Sequence, residues 1–279
     1  MNNRDQLDFD LVVDANHTEL HYWRDLWHFR ELFYFLAWRD ILVRYKQTVI
    51  GIAWSIIRPL LTMIVFTVVF GKIAKLPSEG VPYPILVYVA MLPWQFFSTS
   101  LNEASNSLIS NSNLLSKVYF PRLIIPISSI IVSLVDFCIS AIILALLMIW
   151  YQIYPGWRIL TLPIFLILAF LASLGLGLWL SALNIKYRDI RFIVPFLIQF
   201  GLYISPVGFS SSVIPPNWQF LYSLNPMVGI IDGFRWALIG ENYRMNWLPF
   251  IVSVFLILGT LIFGLWYFRK TEQSFADVI

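Results

Sequence analysis

The sequence has 279 residues, of which 59% are hydrophobic, 17% are aromatic and only 13% are charged. A soluble domain carries about 25% charged residues, so this chain cannot cover a water-exposed surface with polar groups. Its 19 basic residues, against 16 acidic ones, are dispersed and do not form the run that tracks a nucleic-acid backbone. The composition therefore predicts an integral membrane protein and excludes most soluble classes and nucleic-acid-binding proteins.

Residues 1–49 are predicted to form a cytoplasmic N-terminal segment. Its first part is acidic and has no apolar stretch, which argues against a secretory signal peptide. Over residues 22–45, a helical projection places apolar side chains such as Trp23 and Phe33 on one side and charged ones such as Arg24 on the other. This pattern predicts a helix that lies in the cytoplasmic membrane interface. A helix packed on its own chain is the alternative.

Six stretches are long and apolar enough to cross a bilayer, which requires about 20 residues per helix. They predict an all-α fold with a transmembrane domain over residues 50–268 and a cytoplasmic tail over 269–279. Prolines in the second and fifth stretches (Pro93, Pro195 and Pro206) predict broken or tilted helices there. The predicted spans are Ile50–Gly71, Pro84–Leu101, Leu123–Tyr151, Ile159–Leu183, Phe192–Phe209 and Trp247–Phe268.

The distribution of lysine and arginine predicts the orientation of these spans. An even number of spans places both termini on the same side of the membrane. Thirteen basic residues fall on that side, among them Lys117 and Arg122, and five fall on the opposite side. Because cytoplasmic loops carry the excess of basic residues, both termini are predicted to be cytoplasmic.

The stretch from Phe192 to Ile231 contains no charged residue and is too long for one span. Its prolines predict a span followed by short amphipathic helices that dip into the outer leaflet or cap a cavity. A seventh, re-entrant segment is the alternative to this interpretation.

No nucleotide-binding, metal-binding or catalytic motif is recognisable. The pair Gly71-Lys72 lacks the upstream glycine and the Ser/Thr of a phosphate-binding loop. Gly175 and Gly177 lie inside an apolar span, where small residues allow helices to pack closely. All three histidines lie near the N-terminus, so no loop offers a Ser/His/Asp grouping. The chain is therefore predicted to be neither an enzyme nor a metal-binding protein.

Two ionisable side chains are predicted to lie deep in the membrane, Arg58 in the first span and Asp136 in the third. Such groups are functional candidates by default. Arg58 can alternatively extend its side chain to the cytoplasmic interface. Asp136 can alternatively form a structural hydrogen bond or ion pair between spans. Neither belongs to the acidic or histidine chain that a proton-coupled transporter uses.

Three stretches follow one another around the predicted spans. They are Arg39–Ile41 and Arg44–Thr48 with Gly51, Trp54 and Pro59; Asn113–Arg122 with Pro126; and Asn184, Tyr187–Asp189, Gln199, Tyr203, Ser205-Pro206 and Asn225-Pro226. In order and spacing they resemble the membrane subunit of polysaccharide-exporting ABC transporters, which includes the O-antigen, capsule and teichoic-acid permeases. The resemblance covers about residues 39–240.

The resemblance implies a homodimeric permease of the bacterial inner membrane, with six helices per chain and a separate ATPase subunit. ATP and Mg would bind to that partner, so this chain would need no cofactor of its own. The N-terminal helix would be an interfacial gate, and the segment 210–240 would form short outer gate helices. The loop 111–122 would be the coupling helix that contacts the ATPase. Its candidate coupling residues are Asn113, Lys117, Tyr119, Phe120, Pro121 and Arg122.

The substrate implied by the resemblance is a glycan carried on a polyprenyl pyrophosphate lipid. Basic residues at the cytoplasmic face can bind a pyrophosphate, or they can contact anionic membrane lipid instead. Aromatic rings in the second and fifth spans can pack on sugar faces in a channel, or they can face lipid. The pyrophosphate candidates are Arg39, Arg44 and Lys46, and the channel candidates are Tyr88, Trp94, Phe97, Phe200 and Tyr203.

Other functions remain open at this point. An ABC exporter permease for a small lipophilic substrate would have the same spans. A membrane-embedded glycosyltransferase or acyltransferase would need a polar catalytic pair, for which only Arg58 and Asp136 are available. A channel or secondary transporter is a third alternative, although no inverted repeat is detectable.

Overall fold

A computed structural model describes residues 19–46, 49–240, 243–272 and 275, and every regular element in this part of the chain is helical. The prediction that the first 18 residues are cytoplasmic and contain no signal peptide concerns residues outside this description. Short π-helical and 3-10 segments (Thr67–Ile73, Trp157–Thr161 and Ser211–Val213) extend or join the α-helices. The α-helices are α1 (Glu19–His28), α2 (Arg30–Lys46), α3 (Val49–Phe66), α4 (Tyr83–Ser110), α5 (Ser112–Leu115), α6 (Ile124–Trp150), α7 (Leu162–Lys186), α8 (Ile190–Ile204), α9 (Pro216–Ser223), α10 (Pro226–Ile239) and α11 (Trp247–Glu272).

Five helical segments of the described chain are long and apolar enough to cross a membrane. Each overlaps one of the predicted spans, and the second is longer than predicted because its polar C-terminal part is also helical. Pro93 lies inside the continuous helix α4, so of the predicted broken or tilted helix the break is wrong at that residue. The five segments are Ser55–Ile73, Tyr83–Ser110, Ile124–Trp150, Trp157–Lys186 and Trp247–Glu272.

The predicted fifth span corresponds to α8, which has 15 residues and is shorter than a typical span. Pro195 lies within this helix, and the helix ends just before Pro206. The chain enters α8 from the end of α7. After α8 it returns to the start of α4, where the Tyr83 hydroxyl donates to the Gly208 carbonyl at 2.6 Å. α8 therefore connects the two ends of the helix bundle. The count of six spans stays a prediction, in which α8 would be the fifth span in chain order and would add to the five long segments.

The two ends of the bundle carry different loops. One end holds the loop 111–123 and the last turn of α11, which meet where the Arg122 amide donates to Glu272 at 3.0 Å. We call this the coupling-loop end. The other end holds the loops 74–82, 151–156 and 205–225, and we call it the far end. The first described helix also reaches the coupling-loop end, because the Tyr22 hydroxyl donates to Glu272 at 3.1 Å.

The central element is α4, which packs against α6, α7 and α10 and is mostly buried. Glycines allow the neighbouring helices to approach closely, as the sequence predicts. A Cβ atom at Gly177 would lie 2.7 Å from the Cβ of Ala104 in α4. A Cβ atom at Gly175 would lie 2.7 Å from the Leu261 backbone in α11. Both glycines are therefore required by helix packing.

The predicted interfacial helix consists of α1 and α2, with a break at Phe29. α2 packs against α3 and α6, and its Leu36 and Ala37 are buried. Tyr34 and Trp38 stack on each other with ring centres 6.4 Å apart, and both rings are exposed. The helix therefore has one side that packs on the chain itself and another that presents aromatic rings outward, so it combines features of both interpretations.

The segment after α8 differs in part from the predicted surface helices. α9 is largely exposed, whereas α10 is buried among α4, α7 and α11. α10 begins near α8, where the Asn225 amide donates to the Ser205 hydroxyl at 2.8 Å. It ends near the start of α7, where Arg158 donates to the Gly240 carbonyl at 2.9 Å. α10 is thus a buried helix whose two ends both lie near far-end residues.

Candidate functional site

A cavity of about 550 Å³ lies at the coupling-loop end between α2, α4 and α6. Its lining is polar, with two guanidinium groups, two carboxylates, three serine hydroxyls and one amide. The three helices contribute residues from the last turns of α2 and α4 and from the first part of α6. We call it the α2 cavity; its lining residues are Arg39, Asp40, Val43, Arg44, Glu103, Ser107, Ser110, Asn111, Ser129 and Val132.

The predicted pyrophosphate cluster is only partly assembled at this cavity. Arg39 lines it and is positioned by Asp40, at 2.7 Å, and by the side-chain oxygen of Asn111, at 2.8 Å. Arg44 also lines it but is committed to two carboxylates, as described below. Lys46 is exposed and is not among the lining residues. Arg39 pairs with one carboxylate whereas Arg44 pairs with two, so Arg39 is the best placed of the three basic residues to bind an anion in the cavity.

Asp136 joins three helices. Its carboxylate accepts from the Tyr45 hydroxyl of α2 at 2.5 Å and from the Ser55 hydroxyl of α3 at 3.0 Å. Arg44 forms an ion pair with it at 3.0 Å and a longer one with Glu103 of α4 at 3.5 Å. We call these five residues the Asp136 network. The geometry matches the structural alternative for Asp136, because its partners come from neighbouring helices.

The protonation of Tyr45 fits this arrangement. Burial, followed by the hydrogen bond to Asp136, raises the pKa of the Tyr45 hydroxyl. The hydroxyl consequently stays protonated and keeps donating to the carboxylate. The network thus ties α2 to the helices α3, α4 and α6 with complementary donors and acceptors.

Arg58 has a different environment. Its side chain is exposed on α3, on the same outward side as Leu61 and Val65. No ion pair involving Arg58 is formed within the described part of the chain. The structure therefore places the Arg58 side chain on the surface of the protomer.

The loop 111–122 presents some of the predicted coupling residues and buries others. Asn113, Lys117 and Tyr119 are exposed, whereas Pro121 is buried. The Phe120 ring is only 4% exposed and belongs to the hydrophobic core. The expectation that Phe120 is a coupling residue does not hold for its ring, because that ring is already packed in the folded chain. The ring that can meet a partner is that of Tyr119, which is 59% exposed.

The end of this loop is held by a cluster that the sequence analysis does not predict. Glu272 of α11 accepts from the Arg122 amide, from the Tyr22 hydroxyl and, at 2.9 Å, from Arg269. The Arg122 guanidinium donates to the Glu272 carbonyl, and the Arg269 guanidinium lies 3.5 Å from the centre of the Tyr22 ring. Burial, and then the charge of Glu272, raise the pKa of Tyr22, so its hydroxyl remains a donor. We call these four residues the Glu272 clamp.

The predicted channel rings fall into two groups. Tyr88, Trp94 and Phe97 are 1%, 5% and 6% exposed and lie in the core of the protomer. A Cβ atom at Gly201 of α8 would lie 2.8 Å from the Trp94 ring, so Trp94 is enclosed by α8. These three rings do not line a surface of the single chain, which corrects the prediction for them.

Phe200 and Tyr203 are exposed on the outer side of α8. Phe196, one turn earlier, stacks on Phe200 with ring centres 6.2 Å apart and is also exposed. The three residues follow the helical spacing i, i+4, i+7 and therefore form one stripe. We call this stripe the α8 ridge. Phe200 and Tyr203, the two predicted channel residues on this ridge, stay channel candidates.

Two further charged residues are buried at the far end. Arg235 is fully buried and donates to the carbonyls of Leu86 in α4 and of Val207 and Phe209 after α8. Asp232, one helical turn earlier, lies 4.0 Å from it. In the predicted topology Arg235 is one of the five basic residues in loops on the side opposite the termini. The missed signal is an Asp-x-x-Arg pair within an otherwise apolar helix that begins with Asn-Pro.

Comparison with known proteins connects these sites to a family. The profile of the family described as "ABC-2 type transporter" matches residues 31–239. The chain is 27% identical over 263 residues to the O-antigen export system permease protein RfbA of Myxococcus xanthus, covering 92% of this chain and 98% of that protein. It is 29% identical over 248 residues to RfbA of Klebsiella pneumoniae, covering 86% and 92%. It is 24% identical over 245 residues to the polysialic acid transport protein KpsM of Escherichia coli, covering 85% and 92%.

Proposed function

The chain belongs to the ABC-2 type transporter family, and we propose that it is the membrane subunit of an exporter for a lipid-linked polysaccharide. One observation carries this proposal. Relatives named for O-antigen export and for polysialic acid transport align with at least 85% of the chain, so the similarity includes the spans, the loop 111–122 and the far-end segment.

The energy for transport would come from a separate ATPase subunit. In this proposal the ATPase binds at the coupling-loop end, which faces the cytoplasm together with both termini. The exposed Lys117 and Tyr119 are available for contact with it. The positive-inside distribution of basic residues supports this orientation.

The α2 cavity supports recognition of a pyrophosphate group. A guanidinium forms two parallel hydrogen bonds with a phosphate, and such charge-assisted bonds are about twice as strong as neutral ones. Arg39 lines the cavity, and serine hydroxyls stand on the opposite walls. We propose that Arg39 contacts the pyrophosphate of a polyprenyl-linked glycan, while Arg44 maintains the position of α2 through the Asp136 network.

The α8 ridge supports a pathway formed between two copies of the chain. Its three stacked or adjacent rings are exposed in the single protomer. Aromatic rings present an apolar face to sugar rings, and the hydroxyl of Tyr203 adds a polar group. In a homodimer, two such ridges can face each other across a channel and contact a glycan without requiring one sugar sequence.

The proposal is tested with the permease and its ATPase reconstituted in proteoliposomes. The expected result is ATP-dependent movement of a polyprenyl-pyrophosphate-linked glycan across the bilayer, with little movement when the ATPase has lost its catalytic glutamate. Transport of a small lipophilic dye at the same ATP-dependent rate, without transport of the glycan, would favour the alternative exporter class and contradict the proposal.

A further inference from the structure

A second cavity, of about 410 Å³, lies at the far end beside α9 and α10. It is separated from the α2 cavity by the length of α4, whose 28 residues extend about 42 Å. Its walls come from the loop 74–82, the turn before α9, α9 itself and the loop before α11. We call it the far-end pocket; the side chains used below are Glu79, Ser211, Ser212, Gln219, Tyr222, Tyr243, Arg244 and Asn246.

The floor of this pocket is rigidly built. Asp232 is buried and accepts from the Ser211 hydroxyl at 2.6 Å and from the Tyr243 hydroxyl at 2.7 Å. Behind it, Arg235 binds three backbone carbonyls, as described above. Burial raises the pKa of the Tyr243 hydroxyl, so this group remains a donor to Asp232. Ser211 and Tyr243, which line the pocket, are therefore fixed in position by a buried charged pair.

The mouth of the pocket carries adaptable polar groups. The Asn246 amide donates to the Gln219 side-chain oxygen at 3.4 Å, which is a long hydrogen bond between two exposed groups. The Ser212 hydroxyl donates to Glu79. Within the described residues, the buried hydroxyl of Tyr222 at the pocket wall has no hydrogen-bond partner. Donors and acceptors thus converge on a space that the protein itself does not fill.

This set of groups matches the chemistry of a carbohydrate. Hydroxyls, amides and a carboxylate both donate to and accept from sugar hydroxyls, and tyrosine rings can pack on the faces of sugar rings. The single carboxylate Glu79 and the single guanidinium Arg244 among the lining residues balance each other, which disfavours a strongly charged ligand. An acyl chain would bury many of these polar groups without hydrogen bonds, at a high cost in free energy.

We propose that the far-end pocket binds one or two sugar units of the exported glycan as it leaves the permease. This inference rests on the proposed function, because the pocket lies at the end opposite the ATPase-binding end. It adds a second contact with the substrate, on neutral sugar hydroxyls, to the pyrophosphate contact in the α2 cavity.

The test uses the purified permease–ATPase complex in lipid nanodiscs. The probe is a set of short oligosaccharides cut from the surface polysaccharide of the source cell, free of lipid, and binding is measured by saturation-transfer NMR and equilibrium dialysis. The variant is Gln219→Ala combined with Asn246→Ala, which removes the two amides at the mouth and leaves the buried floor intact. Asn217→Ala is the matched control, since Asn217 is an exposed amide on the same helix outside the pocket lining.

The expected result is binding to the wild-type complex and to the Asn217→Ala control, with the affinity lowered about tenfold or more in the double variant. That size follows from the loss of about two hydrogen bonds. Absence of oligosaccharide binding to the wild-type complex, or equal affinity for the wild type and the double variant, overturns the inference.

The same preparation is assayed for export in proteoliposomes. Normal export with equal affinity overturns the pocket alone, whereas a wild-type complex that exports no glycan overturns the proposed function and the pocket's role with it.

Discussion

At the scale of single residues, the two neighbours Tyr119 and Phe120 have opposite environments, and this predicts opposite effects of their substitution. Tyr119→Ala removes an exposed ring, so we expect normal amounts of inserted permease and a weaker association with the ATPase. Phe120→Ala leaves a cavity in the core, which costs about 3–5 kcal/mol, so we expect less folded permease. Membrane-fraction immunoblots and co-purified ATPase measure both effects. Weaker association for Phe120→Ala, together with normal association for Tyr119→Ala, would contradict this assignment.

The Asp136 network predicts a stability effect. Asp136→Asn removes the negative charge that pairs with Arg44, so we expect destabilisation by about 1–3 kcal/mol, less than for a fully buried pair because Arg44 is partly exposed. The measurement is the thermal midpoint of the purified permease in detergent. Tyr45→Phe is the control, since it removes one neutral donor and should lower the midpoint less. An unchanged midpoint for Asp136→Asn would show that the network does not stabilise the fold.

The α8 ridge predicts an effect on export. Replacing Phe200 and Tyr203 with alanine removes two exposed rings, so we expect lower export for each assembled complex and no loss of assembly. Phe255→Ala is the matched control, because Phe255 is also exposed but lies on α11. Surface glycan, normalised to the assembled complex, is the readout. If the ridge variant and the control export equally, the ridge faces lipid.

At the scale of elements, hydropathy predicts the long helices because each must present apolar surface over about 20 residues. The same reasoning fails for α10, whose buried Asp232 and Arg235 lower its hydropathy and are compensated by each other and by partners elsewhere in the chain. The Glu272 clamp is invisible in the sequence for a related reason. Its members come from three distant parts of the chain, since Glu272 bonds to Arg122, 150 positions earlier, and to Tyr22, 250 positions earlier.

Close packing of α7 and α11 predicts that their glycines are not equivalent. In Gly175→Ala the new methyl group would lie 2.7 Å from the Leu261 backbone, so the helices must separate, and we expect a lower thermal midpoint. In Gly259→Ala, on α11, the methyl group meets no atom within 4 Å. We therefore expect no loss there, and a small gain is consistent with the higher helix propensity of alanine. Equal midpoints for the two variants would contradict the packing account.

The Glu272 clamp joins the loop 111–122 to both α1 and α11, and so predicts an effect on energy coupling. Glu272→Gln weakens the contacts with Arg269, Arg122 and Tyr22. We expect ATP hydrolysis by the complex to persist while less glycan is exported for each ATP hydrolysed. Lys270→Ala, which changes an exposed charge on the same helical turn, should leave this ratio unchanged. An unchanged ratio for Glu272→Gln would mean that the clamp is not part of the coupling path.

At the scale of the whole molecule, the features assigned to transport are divided between the two ends of the bundle. A cavity with two guanidinium groups and the loop proposed to contact the ATPase lie at one end, and a pocket lined mostly by neutral hydrogen-bonding groups, with one carboxylate and one guanidinium, lies at the other. Between them stands α4, most of which is buried among the neighbouring helices. This arrangement fits a permease whose pathway forms between two copies and whose energy is supplied by another subunit.

The measurement that tests this account most directly is transport by the chain with and without its ATPase in the same proteoliposomes. The account predicts that the chain alone neither hydrolyses ATP nor moves a polyprenyl-pyrophosphate-linked glycan, and that the glycan crosses the bilayer when the ATPase and ATP are added. ATP hydrolysis by the chain alone, freed of contaminating ATPases, or failure of the assembled and hydrolysing complex to move the glycan, would contradict it.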